Sequence, residues 1–290
     1  MKLNFFILCF LLTIVNANII HSQTIIKDSL SLIDNAKNHI NSFKDSLQIE
    51  NPYVILGIGY LDVYMGNNQR GNKIMELALD RIISPDADIY HELSVQNTKN
   101  GNYQLAFNYL EKSAKLNPEV YGYFGWVMLY YYRDYKRALE YLNVFDLLTP
   151  NFSDFPMGEN IHYLKGLALM KLDRYEDAIN NFEIYINEET SKNGESWVET
   201  STFYYKGICL ENLNKKKQAV KNYKLAIKYN SFFVEAIYRK ALLVKRKRIK
   251  KLLKVKELIK KGYSKTDVYV ETFYPVYIQD VEKELGKYEF

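Results

Sequence analysis

The feature that most constrains this chain is a local pattern that keeps returning: a turn, then an aromatic residue, then a small residue three positions on. Asp173-Arg174-Tyr175-Glu176-Asp177-Ala178 shows it most fully, and Gly101-Asn102-Tyr103-Gln104-Leu105-Ala106 and Asp134-Tyr135-Lys136-Arg137-Ala138 repeat it. A large apolar residue and a further small one often follow one or two turns later. The segments close near Pro118, Pro150 or Asn230. A small residue at a fixed place lets two helices approach, and the aromatic beside it wedges between one unit and the next. A chain with such repeats folds by stacking helix pairs, because a single pair cannot bury its apolar face alone.

The repeats run over 52–85, 87–118, 119–150, 159–192 and 200–233. The first carries Gly59 at a helix crossing, Gly66 at the turn, and Gly71 and Ala78 at later small positions. The second has Ala106 and Pro118; the third has Gly125, Tyr135, Ala138 and Pro150. The fourth is the fullest, with Gly166, Tyr175, Ala178 and Phe182 in register. The fifth has Gly207, Ala219, Tyr223 and Ala226, with Lys216 replacing the usual aromatic at the turn. The set resembles the tetratricopeptide repeat, a helix–turn–helix unit of about 34 residues. The resemblance covers roughly 52–233 and, more loosely, extends to 262. It implies an all-α, right-handed helical-hairpin solenoid of about five units plus capping helices, a fold that holds other proteins.

Flanking segments are assigned from their patterns. Residues 24–51 form an N-terminal capping segment, with Leu32, Ile33, Ala36, Ile40 and Phe43 at helical spacing. Residues 234–262 form a degenerate basic capping repeat. Residues 263–290 form a tail rich in aromatic and β-branched residues from Val268 to Tyr277, in which Pro275 opens a last helix to Leu285 and Gly286 ends it. Tyr135 to Tyr175 is 40 residues and Gly166 to Gly207 is 41, so each junction carries an insert. Asp154 with Pro156, and Asn193-Gly194 before Trp197, predict extra turns on the front of the next first helix. Phe152, Phe155 and Trp197 then either form a lip beside the binding groove or pack the longer helix ends.

Residues 1–23 have the pattern of a secretory signal: Lys2, an apolar run from Phe5 to Val15, and cleavage positions after Ala17 or Gln23. An uncleaved anchor is the alternative, since Ile19 and Ile20 lengthen the run, although Asn16 and Asn18 interrupt it. Cleavage places the chain in the periplasm, on the cell envelope or outside the cell, and leaves no transmembrane span. It also leaves Cys209 as the one cysteine, set in the apolar run Ile208-Cys209-Leu210 as a buried thiol.

Two surfaces are candidates for partners. The resemblance places a protein or peptide partner along the first helices of the repeats, which gives Tyr123, Tyr130, Tyr163, Leu167, Met170, Tyr204, Ile208 and Tyr238 as groove positions. Tyr163, Tyr204 and Tyr238 share a Tyr-x-Lys motif completed by Lys165, Lys206 and Lys240. Tyrosines in a row offer contact area at low entropy cost, yet an aromatic is common at that repeat position whatever the ligand. A clamp for a C-terminal carboxylate, found in part of the family, would use positions held here by Tyr163, Leu167, Tyr205, Glu235 and Arg239; only Arg239 suits it. The second surface is Arg239 to Lys261, with twelve Lys or Arg against Glu257. Its charge of +11 within a chain of +5 leaves −6 for the rest. An amphipathic helix with Ile249, Leu252, Leu253, Leu258 and Ile259 on its apolar stripe would cap the array. Alternatively, it would present Lys245, Lys247, Lys250, Lys251 and Lys254 to an anionic surface of lipid head groups, acidic protein or glycan. The export signal disfavours nucleic acid.

Nothing in the sequence marks an enzyme. His21, His39, His91 and His162 are scattered, and His91-Glu92 lacks the second histidine of a metalloprotease helix. Phosphate loops, nucleophile elbows and paired cysteines are missing, so no cofactor or metal is expected.

Overall fold

The computed structural model describes residues 32–42, 51–245, 247–263 and 273–288. The signal segment 1–23, Phe43 and the start of the aromatic tail at Val268 lie outside the described residues. Among those described there is no strand, and no helix is long and apolar enough to cross a membrane.

The chain divides into two compact units, Met1–Asn117 and Pro118–Phe290. In the first, α1 (Leu32–Asn41) packs on α3 (Asn68–Leu79), which pairs with α2 (Pro52–Tyr64); α4 (Ala87–Lys99) pairs with α5 (Tyr103–Leu116). In the second, α6 (Val120–Val127) runs into a π-helix (Met128–Tyr132) and pairs with α7 (Tyr135–Asp146). Then α8 (Ile161–Lys171) pairs with α9 (Tyr175–Asn193), α10 (Thr200–Asn212) with α11 (Lys216–Tyr229), and α12 (Val234–Leu243) with α13 (Arg248–Lys260). A last helix, α14 (Ile278–Gly286), packs on α13. The fold class is the all-α stack of helical hairpins.

Local chemistry starts and stops these helices. Orphan N–H groups at the fronts of first helices meet side-chain oxygens: Tyr53 N–H donates to Asn51 at 3.0 Å, Ile89 N–H to Asp86 at 2.9 Å, and His162 N–H to Asn160 at 2.8 Å. Between the two helices of each hairpin, one residue turns left-handed. It is Gly66 (φ 88°), Gly101 (77°), Arg133 (56°), Asp173 (59°), Asn214 (58°) and Lys247 (58°). Gly66 and Gly101 adopt this conformation without a Cβ penalty, whereas Arg133 and Lys247 adopt it against their preference.

First helices of the second unit lie against helices on several sides. In α8, Ile161, Tyr163, Leu164, Gly166, Leu167, Ala168, Leu169 and Met170 are all buried, an apolar surface all round. Glycines set the close crossings. A Cβ on Gly166 would stand 2.5 Å from the Phe182 ring, and one on Gly207 would stand 2.4 Å from the Tyr223 ring. Cys209 is buried between such helices, and burial pushes its thiol up to about 12, so it stays protonated.

Four expectations are corrected. The insert before α8 is not a helix extension: Pro156–Gly158 is an isolated 3-10 turn, and Asn160, not Asp154, caps α8. The next insert lengthens α9 at its end, to Asn193, and leaves a 3-10 turn at Glu195–Trp197 before α10. Phe152, Phe155 and Trp197 are consequently exposed rather than packed on longer helix ends. Pro275 does not open the last helix, which begins at Ile278, with the Asp280 carboxylate accepting the Tyr277 N–H at 3.0 Å. The basic stretch Arg239–Lys261 is two helices, α12 and α13. On α13 the buried stripe is Leu252, Val255 and Leu258, while Ile249 and Leu253 remain exposed.

Candidate functional site

The face made by the first helices of the 118–290 unit carries most of the tyrosines singled out above, but not as an open groove. Tyr130, Tyr163 and Tyr204 are buried at 8%, 7% and 0% exposure, and Leu167, Met170 and Ile208 at 1% or less. Leu167, Met170 and Ile208 are therefore core residues: each first helix is covered by its own second helix and by the neighbouring hairpins. Tyr123 is half-buried and stacks on Trp126 at 6.3 Å. Tyr238, also half-buried, packs with the cluster of Val234, Leu258, Val276 and Val281 that holds α14.

The buried hydroxyls are neutral and hydrogen-bonded. Tyr130 Oη donates to Glu159 Oε1 at 3.0 Å, and Trp126 Nε1–H donates to Glu159 Oε2 at 2.7 Å. Burial raises the Glu159 carboxyl above its usual range, opposed by these two donors. Tyr163 Oη and Ser201 Oγ share a hydrogen at 2.8 Å, joining α8 to α10. Burial holds Tyr130, Tyr163, Tyr204 and Tyr205 well above the ordinary phenol value. These groups serve as hydrogen-bonding posts, not as proton donors for chemistry. Among the described residues, no group of three or more His, Cys, Asp or Glu is placed to hold a metal ion.

What lies on this face is the chain itself. Phe273 stacks on Tyr130 with ring centres 5.7 Å apart and planes 22° apart, and meets the edges of Tyr135 at 6.1 Å and Tyr205 at 6.2 Å. Arg133 stands 5.1 Å over the same ring. Lys171 stands 4.9 Å and Arg239 5.9 Å over the Tyr274 ring. Tyr204 Oη donates to the Tyr274 carbonyl at 3.0 Å, and the Phe273 backbone hydrogen-bonds Tyr205. Arg239 is held in turn by Glu211 at 3.6 Å, whose other oxygen accepts from Tyr223 at 2.8 Å. Sequence reasoning missed Arg133, Tyr135 and Lys171, because nothing in the local pattern separates a residue at the mouth of a hairpin from one facing solvent.

Lys165 and Lys206 of the Tyr-x-Lys motif are engaged away from the strap that Phe273–Val276 lays on this face. Lys165 pairs with Asp146 at 2.9 Å and Lys206 with Glu183 at 3.0 Å, each tying a first helix to the hairpin before it. Lys240 breaks this series: burial lowers its pKa, and Lys251, Lys224 and Lys254 lower it further. Lys245, Lys247, Lys250 and Lys254 are exposed, and Lys251 is half-buried.

Comparison with known proteins agrees with this architecture. Residues 87–120 and 159–186 match the tetratricopeptide repeat model. The C-terminal part of a TPR repeat-containing protein from Cytophaga hutchinsonii is 15% identical, with a TM-score of 0.57 over 82% of this chain and 94% of that one. The pilF protein of Pseudomonas aeruginosa is 16% identical, with a TM-score of 0.53 over 81% and 98%. MamA of Desulfovibrio magneticus is 20% identical, with a TM-score of 0.51 over 62% and 98%. At these identities the likeness is one of fold. A comparison with curated protein sequences finds no match. Two segments of this chain, 87–120 and 159–186, are thus tetratricopeptide repeats, within a fold shared with these proteins.

Proposed function

We propose that this chain is a non-enzymatic interaction scaffold, exported through its first 23 residues to the cell envelope, whose first-helix face in the 118–290 unit takes an extended protein or peptide segment. One observation carries the reading: a stretch without regular structure, Phe273–Val276, lies on that face, held by a tyrosine hydroxyl on its backbone and by cations over its rings. Retention of a cellular partner by the full chain tests it. Arg133→Ala with Lys171→Ala removes two cations from the face without opening the core, and retention should be lost while the helical spectrum stays. Unchanged retention would move the binding surface elsewhere. For export, mass spectrometry of the native protein should find an N-terminus near Asn18 or Thr24; an intact Met1 in a membrane fraction would instead favour an anchor.

A second reading rests on the lysines of α11, α12 and α13. At two successive junctions a lysine meets a carboxylate, but Lys240 meets Lys224, Lys251 and Lys254. Like charges gathered this way favour an anionic surface. Exposed charges are screened within about 8–10 Å at ordinary salt, so retention that disappears at moderate salt would identify this surface and not the first-helix face.

A further inference from the structure

Resting on the reading of the first-helix face as a receptor, we propose that Phe273–Val276 is a displaceable ligand in cis. Its competitor in trans is a protein segment that presents two adjacent aromatic residues followed by proline. The face selects rings. Arg133 and Lys171 converge on Phe273 from 5.1 and 5.9 Å, and Lys171 also covers Tyr274. Burial and the nearby Arg133 both lower the Lys171 pKa, so these like charges are held close. A π-face between them offsets that repulsion; an aliphatic side chain has no quadrupole and does not. The face also reads backbone, through Tyr204 on the Tyr274 carbonyl and Tyr205 on the Phe273 backbone. Pro275 has no N–H to satisfy, and it directs the chain from the face to Val276, which is buried in the cluster around α14.

The same geometry makes the strap exchangeable. Phe273 and Tyr274 stay half-buried above Tyr130, Tyr204 and Tyr205, which are buried, so solvent already reaches the occupant but not these three posts. A tethered segment competes at an effective concentration on the order of millimolar. A segment in trans that repeats these contacts and adds others can therefore replace it.

The test uses the full chain and a labelled, end-capped peptide, Phe-Tyr-Pro-Val-Tyr-Ile, followed by fluorescence anisotropy. Phe273→Ala with Tyr274→Ala empties the face and should bind the peptide about tenfold more tightly than the unaltered chain. Adding Arg133→Ala and Lys171→Ala should abolish that gain, and a peptide beginning Leu-Leu should not bind. A folded strap variant that binds the peptide no better than the unaltered chain overturns the proposal, as does equal binding of the Leu-Leu peptide. If the strap variant does not fold, amide exchange in the unaltered chain decides the matter. Excess peptide should speed exchange at the Phe273 amide, whose backbone hydrogen-bonds Tyr205, and unchanged exchange overturns the proposal. The scaffold reading is judged separately, by cellular-partner retention in the Arg133→Ala, Lys171→Ala chain. A partner lost there with the peptide arms negative leaves the scaffold and removes the strap.

Discussion

The two units solve the same packing problem with different contacts. In the first, α2 and α3 cross glycine on glycine: a Cβ on Gly71 would stand 2.6 Å from the Gly59 carbonyl oxygen and 2.8 Å from the Val63 nitrogen. In the second, Gly166 and Gly207 face rings, Phe182 and Tyr223, while Gly125 faces the Leu142 side chain. Their polar anchors differ as well. The first unit buries a carboxylate under a half-buried cation, with Asp62 accepting from Arg70 Nε at 2.6 Å and Nη2 at 2.7 Å, and His39 of α1 standing 3.4 Å away. The second unit buries tyrosine hydroxyls. Backbone contact and a desolvated charge leave the first unit little room to adjust, while rings and hydroxyls give the second a face that a flexible segment can occupy.

Four substitutions test that contrast, in decreasing order of effect. Arg70→Ala strands the Asp62 carboxylate in the core of the first unit, and urea denaturation should show a loss of about 3 kcal/mol. That is the low end for a broken buried pair, since His39 stands near enough to compensate. Gly71→Ala forces a methyl group into backbone and should cost about 2–3 kcal/mol, whereas Gly166→Ala meets a ring and should cost about 1–2 kcal/mol. Equal costs would mean that the two crossings are equally rigid, and the contrast would fail. Tyr204→Phe removes one neutral hydrogen bond to the Tyr274 carbonyl and should cost about 1 kcal/mol. Its clearer signature is faster exchange at the Phe273 amide, which holds the same segment to Tyr205, with the first unit unchanged.

How far the sequence was readable follows the same division. Hairpins announce themselves because a crossing at Gly59, Gly166 or Gly207 admits few alternatives, and each recurs at a fixed distance from its turn. Left-handed turns at Arg133 and Lys247 do not, since neither residue type signals that conformation. Tyr163 and Tyr204 were placed on the right helices but with the wrong exposure. Periodicity locates a residue on a helix; it does not say how many neighbours surround that helix. The particular contacts of Phe273 and Tyr274 were out of reach for a different reason. Tyr204 and Tyr274 are 70 positions apart, and a contact made by the returning chain leaves no spacing to detect.

The smallest effect concerns pH, and it reports on the buried carboxylate of the first unit. Burial is the main cause lowering the His39 pKa; Asp62 opposes it, and Arg70 adds to it. A histidine depressed in the folded state binds fewer protons than its unfolded counterpart, which titrates near about 6.5. Its contribution to stability is therefore complete above about pH 6.5 and is lost as pH falls through the folded pKa. Proton NMR of the His39 ring should show a midpoint below the ordinary histidine value. In the Arg70→Ala chain one lowering cause disappears and the Asp62 carboxylate turns to His39, so the midpoint should rise. The same titration then separates two accounts of the first unit. If Arg70→Ala leaves the His39 midpoint where it was, Asp62 is not the shared partner of both cations, and the anchor of α1 on α3 rests on Ala36 and Ile40 alone.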